Sequence, residues 1–98
     1  MPRVLDVRAV RRGRSIIVRW RTEFPARRTF FTALGQRTRE LAPDSFTDSS
    51  AFASVRGRGR THFHVRMRPE HPAAVRWVGV YAYSFDRTRG HRAVVRVG

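Results

Sequence analysis

The sequence contains no cysteine, no lysine and few carboxylates: 7 acidic residues stand against 21 cations. Without cysteine there is no disulfide framework and no thiolate metal site, so packing alone has to hold the fold. No apolar run reaches the length of a membrane-spanning helix. The first residues, Met1-Pro2-Arg3-Val4, lack a charged-then-apolar leader. The chain is therefore expected to be a complete product kept in the cytoplasm, or part of a particle assembled there.

The chemistry that the residues lack is as informative. Asp6, Glu23, Glu40, Asp44, Asp48, Glu70 and Asp86 are scattered, with no close pair for acid–base work. The serines lie in a loop or at strand ends without a motif that activates a nucleophile. No glycine-rich phosphate loop opens a helix. His62 and His64 share one side of a strand at a spacing that can serve zinc, but nothing places His71 or His91 beside them as a third ligand. Neither catalysis, nor a cofactor, nor a metal is expected.

What is present is positive charge. The formal net charge is +14, and every cation is arginine. The preference over lysine is what a GC-rich genome produces and carries little weight. The excess over carboxylates is different, because so high a charge repels itself and implies an anionic partner. Nucleic acid, an acidic protein surface and an anionic membrane surface all qualify. Length and composition fit one domain, residues 1–98, with one small core, and 41% hydrophobic residues argue against disorder.

Period-two patterning dominates the chain. Val4–Val10 places Leu5, Val7 and Ala9 on one side, with Asp6 and Arg8 on the other. Ser15–Thr22 is the cleanest strand: Ile16, Val18 and Trp20 share a face, and Ile17, Arg19 and Arg21 the opposite one. Phe24-Pro25-Ala26 should end it, since proline cannot serve a central ladder. Arg28–Leu34 is rich in β-formers. Gln36–Leu41 suits either one helical turn or a short edge strand, Pro43–Ser50 a polar loop, and Ala51–Val55 a weak strand. Arg56-Gly57-Arg58-Gly59-Arg60 is a tight basic turn into Thr61–Arg68, with Phe63, Val65 and Met67 inward and His62, His64, Arg66 and Arg68 outward. Beyond the Pro69-Glu70-His71-Pro72 corner, Val75–Phe85 and Arg92–Val97 form a closing hairpin.

Six or seven short strands separated by turns predict an all-β, antiparallel sandwich. Ser15-Ile16-Ile17-Val18-Arg19-Trp20 looks like the B strand of a fibronectin type III domain, with its inward tryptophan. Val65-Arg66-Met67-Arg68-Pro69 followed by Val78-Gly79-Val80-Tyr81-Ala82 is similar to that family's E strand, proline corner and F strand. Arg76 stands where the family carries its corner tyrosine, which makes a general immunoglobulin-like sandwich the expectation.

The resemblance implies that the first, second and Thr61–Arg68 strands form one sheet. Arg8, Arg19, Arg21, His62, His64, Arg66 and Arg68 would then gather on its outer face, with Arg56, Arg58 and Arg60 exposed in the adjoining turn. The bland alternative is a solvated face whose arginine stems cover apolar surface. In the other sheet, if Val78, Val80 and Ala82 face the core, then Trp77, Tyr81, Tyr83 and Phe85 face outward as a contact stripe. The opposite parity would put those aromatics in the core. Gly79 would leave a shallow gap in the stripe for another backbone or ring.

Two functions are consistent with these surfaces. One is a non-enzymatic structural or adaptor module in a larger assembly, such as a phage or phage-like particle, docking on an acidic protein surface or on a second copy. The other is a nucleic-acid-binding protein whose arginines track phosphates while its aromatics stack on bases.

Overall fold

The computed structural model describes residues 2–40, 51–86 and 88–98. The expected loop at 43–50 lies outside them. Among the described residues, seven strands follow one another: β1 (Val4–Arg12), β2 (Ser15–Ala26), β3 (Thr29–Gln36), β4 (Phe52–Arg56), β5 (Arg60–Met67), β6 (Trp77–Ser84) and β7 (Arg89–Arg96). They form two antiparallel sheets, ordered β1-β2-β5 and β4-β3-β6-β7. These are the groupings implied by the resemblance, with β4 added at one edge. Of Gln36–Leu41, Gln36 closes β3, residues 37–40 bend away, and Leu41 is outside the described residues.

Both sheets turn one face to a common core, an arrangement compatible with the expected sandwich. Ile16, Val18 and Trp20 of β2 meet Phe63 and Met67 of β5 from one layer; Phe31, Ala33, Val78, Val80 and Ala82 come from the other. Trp20 stacks on Phe63 at 5.5 Å and tilts against Phe31 at 5.7 Å. The buried Trp20 Nε1 has no acceptor among the described residues. An unpaired donor costs ~1–3 kcal/mol, whereas burying an indole gains roughly 4–6 kcal/mol at ~25 cal/mol per Å2. Packing wins at this position.

Three features depart from the sequence pattern. The β1–β2 register slips between Leu5 and Arg8, where Asp6 takes φ 51°. That bulge supplies one extra residue, so Val4 and Ala9 both point inward and Leu5, expected inside, lies opposite Arg21 on the outer face. Secondly, β2 does not stop at Thr22. It continues to Ala26, and the ladder to β5 skips from Arg21 to Ala26, so Pro25 sits where no rung is required. The third departure is the corner before β6. Pro72–Ala74 is a 3-10 turn, and Arg11 reaches it from β1, donating to the Pro72 carbonyl and, at 2.9 Å, to the Val75 carbonyl. A guanidinium from another strand thus holds the corner that lacks a tyrosine.

The C-terminal strand also closes against β1. Gly98 N–H donates to Ala9 O at 2.9 Å, and Val4 N–H donates to His91 Nδ1 at 2.9 Å.

Candidate binding faces

The outer face of β1-β2-β5 is built in rows fixed by the register. Arg8 pairs with Arg19, which pairs with His64; Arg21 pairs with His62; Ile17 lies between Val10 and Arg66. Asp6, at the bulge, accepts a hydrogen bond from Arg21 Nε. An open depression of about 500 Å3 lies over these rows, lined by Asp6, Arg8, Arg19, Arg21, His62 and His64, with Trp20 and Phe63 between them. Arg66 continues the face, and Arg68 lies just past the end of β5, exposed. Extending β2 also brings Glu23 to an exposed position beyond the paired run.

The basic turn does not simply extend this patch. Arg56 belongs to β4, on the other sheet, with its guanidinium 6.0 Å from the Phe85 ring centre. Arg60 bonds the Arg56 and Gly57 carbonyls and lies over Phe63. Arg58 occupies the exposed tip with φ 52°.

The outer face of β4-β3-β6-β7 is different in kind. Val78, Val80 and Ala82 are buried in the core, so Trp77, Tyr81 and Tyr83 lie on the outer side. Successive rows read Arg56–Phe30–Tyr83–Arg89, Ser54–Thr32–Tyr81–Arg92 and Phe52–Leu34–Gly79–Val94, and the last is Gln36–Trp77–Arg96. Phe30 stacks on Tyr83 at 5.1 Å, and Arg96 lies over Trp77 at 5.6 Å. Phe52 and Phe85 are 54% and 58% exposed. Phe30, Ser54, Val55, Arg56 and Phe85 line a depression of about 660 Å3.

Tyr81 belongs to this face by parity but is only 8% exposed. Its hydroxyl donates to Gln36 Oε1 at 2.6 Å, while Gln36 Nε2 donates to the Thr38 and Arg39 carbonyls. Burial is the main reason its phenol is held above the ordinary value and stays a donor. A methyl on Gly79 would sit 2.5 Å from Gln36 Oε1. The gap expected at Gly79 is therefore filled by the chain's own hydrogen bond.

Neither Gln36 nor the flanking Phe30, Phe52, Arg89, Arg92 and Arg96 was singled out by the sequence pattern. The alternation Phe30-Thr32-Leu34 against Phe31-Ala33 was the signal available for the first of the aromatics.

The β6–β7 hairpin is pinned by Asp86, whose carboxylate accepts from Ser84 Oγ and, at 3.0 Å, from Thr88 N–H. The Ser84 hydroxyl, then the Thr88 donors, lower its pKa to about 2. A depressed folded-state pKa stabilises fully above the ordinary 3.8 and is lost as pH falls through about 2. The Thr88 amide resonance is expected to titrate with a midpoint near 2, and Asp86→Asn should abolish that titration.

Among the described residues, no three histidine or acidic side chains come together to hold a metal ion, and no helix is long and apolar enough to cross a membrane. No protein-family model, curated protein or solved structure matches the chain. What the fold and its faces define is an all-β protein of two antiparallel sheets, one face arginine–histidine and the other arginine–aromatic.

Proposed function

We propose that this protein is a non-enzymatic binding module on an immunoglobulin-like, fibronectin type III-like sandwich, a component of a larger assembly that docks on an acidic protein surface. The strand order and the buried Trp20 support that architecture. The docking face is the outer side of β4-β3-β6-β7. One observation carries this reading: the parity of β6 leaves Trp77 and Tyr83 outside the core, with exposed Phe85 just beyond the strand, among Arg56, Arg89, Arg92 and Arg96.

Aromatic and arginine side chains together are the composition of binding hot spots. The depression beside Phe30 and Phe85 suits one apolar side chain of a partner, with Arg56 at its rim for a neighbouring carboxylate. A second copy is a poor occupant, because two chains of charge +14 repel each other. An acidic segment bearing a leucine or aromatic residue fits both chemistries.

Two peptides of equal negative charge test this, one carrying leucine and phenylalanine among its glutamates and the other serine at those positions. Trp77 fluorescence and amide shifts should report binding of the apolar peptide about tenfold tighter. The variant Trp77→Ser/Tyr83→Ser/Phe85→Ser should lose about 30-fold, the equivalent of ~2 kcal/mol. Phe85→Ser alone, at an exposed ring, keeps the test readable if the triple variant is unstable. Equal affinity for the two peptides would show charge alone at work and end this reading. Self-association at micromolar concentration that these substitutions abolish would give the face to a second copy instead.

A further inference from the structure

The two outer faces differ in a way that separates their ligands. The outer face of β1-β2-β5 has the charge of a binding surface and no exposed aromatic anchor. No exposed aromatic stands among its rows: Trp20 and Phe63, which also line the depression, are buried in the core, and the apolar members of the rows are Leu5, Val10 and Ile17. Protein interfaces are depleted of charge at their centres and rely on buried aromatic or aliphatic anchors. Contacts to phosphate need the reverse, donors in quantity without anchors. We infer that the depression over Arg8, Arg19, Arg21, His62 and His64 is a phosphodiester site that holds the backbone of a nucleic acid without reading its bases.

The engagement of the arginines supports this. Arg11 and Arg60 spend their donors on backbone carbonyls, Arg21 is tied to Asp6, and Arg96 lies over Trp77. The side chains of Arg8, Arg19 and Arg66 make no hydrogen bond or ion pair among the described residues. Each guanidinium keeps five donors in a fixed fork that matches phosphate oxygens two at a time. Arg8 and Arg19 are also direct cross-strand partners, and like charges so placed destabilise a sheet. A ligand that neutralises them removes that penalty. Asp6 gives the depression its one carboxylate, and the Arg21 bond keeps it engaged.

The register sets the spacing of the donors. The β1 register shifts at Asp6, and neighbouring strands about 4.8 Å apart set Arg8, Arg19 and His64 across the floor of the depression. Arg21 and His62 flank that row about 6.8 Å along the strands. An extended backbone crossing β2 can therefore meet two rows of donors in succession. The face is on the opposite side of the molecule's core from the arginine–aromatic one, so both can be occupied together.

The experiment uses fluorescein-labelled 20-nucleotide oligothymidylate and a 20-base-pair duplex, followed by anisotropy across a salt series. Arg8→Ser/Arg19→Ser is compared with Arg37→Ser/Arg39→Ser, which removes the same charge from the exposed bend after β3. The first variant should weaken both probes tenfold or more and lower the salt slope by about 1.4 on the single strand. The second should change affinity less than threefold. Thermal melts at low salt should show that Arg8→Ser/Arg19→Ser is no less stable than the parent.

Equal losses from the two variants would mean diffuse attraction to a +14 protein and would overturn the site. So would displacement of the oligonucleotide by polyglutamate of equal charge, which would mark a general polyanion surface. Persistence of phosphate binding after Trp77→Ser/Tyr83→Ser/Phe85→Ser separates this site from the docking face.

Discussion

Arg11→Met is expected to destabilise the protein by about 3 kcal/mol, more than substitution at any exposed arginine. Its guanidinium donates to the carbonyls of Pro72, the first residue of the 3-10 turn that leads into β6, and of Val75, which caps that turn. Charge-assisted hydrogen bonds contribute ~1.5–3 kcal/mol each, and a partly buried carbonyl left without its partner adds to the loss. Val75 is wholly buried, and the corner is further held by Arg76 N–H on Gln36 O and Val97 N–H on Arg76 O. Loosening it therefore disturbs β3, β6 and the end of β7 together.

The measurement is a pair of urea or thermal unfolding curves for Arg11→Met and for Arg12→Met, its exposed neighbour. A loss near 3 kcal/mol corresponds to a fall of roughly 15 °C in Tm for a domain of this size. Arg12→Met should stay within ~0.5 kcal/mol of the parent. Arg11→Lys should recover only part of the loss, because an ammonium cannot match the two-carbonyl geometry of the fork. Equal effects at positions 11 and 12 would remove Arg11 from the corner.

The inward faces of β2 and β5 were legible in the sequence, whereas the sheet partition came only from the resemblance and the parity of β6 stayed open because Val75–Phe85 is apolar on both faces. Strict alternation of apolar with charged residues in Ile16-Val18-Trp20 and Phe63-Val65-Met67 fixes which side of a strand is inward once a core exists. In β6, where Val78, Val80 and Ala82 alternate with aromatics, only the packing decides. Other features were not legible, because they depend on partners distant along the chain. Nothing near Asp6 announces the bulge; it becomes necessary only when β1 must present both Val4 and Ala9 to a core facing β2. Pro25 looks like a terminator, yet β2 passes through it where the ladder to β5 lacks rungs. Arg11 is one cation among 21 until the corner it bonds has been placed beside it. Tyr81 has the parity of a contact residue, and only the return of Gln36 from β3 withdraws it from that role.

The same distinction, local against tertiary, separates the two glycines of the Arg56–Arg60 turn. In sequence both read as turn-formers. Gly59 is one, with φ 72° and open space where a side chain would stand. Gly57 is constrained by proximity: a Cβ there would lie 2.5 Å from Ala26 O and 2.8 Å from Ala26 Cβ. The neighbouring atoms belong to the buried end of β2, where Gly59 N–H donates to Ala26 O at 2.7 Å and Gly57 N–H to Thr29 O at 2.8 Å.

Gly57→Ala must therefore displace backbone, and it is expected to cost about 3 kcal/mol, at the upper end for overpacking. Gly59→Ala meets no atoms and carries only the strain of a left-handed residue, ~1 kcal/mol. Unfolding curves for the two variants, with amide exchange at Thr29 and Gly59, give the ranking. A larger loss at Gly59 would mean that turn conformation governs this segment. The expected order means that the turn is a clamp joining β2, β3 and β5, and that its arginines are spaced by the packing beneath them rather than by their own charge.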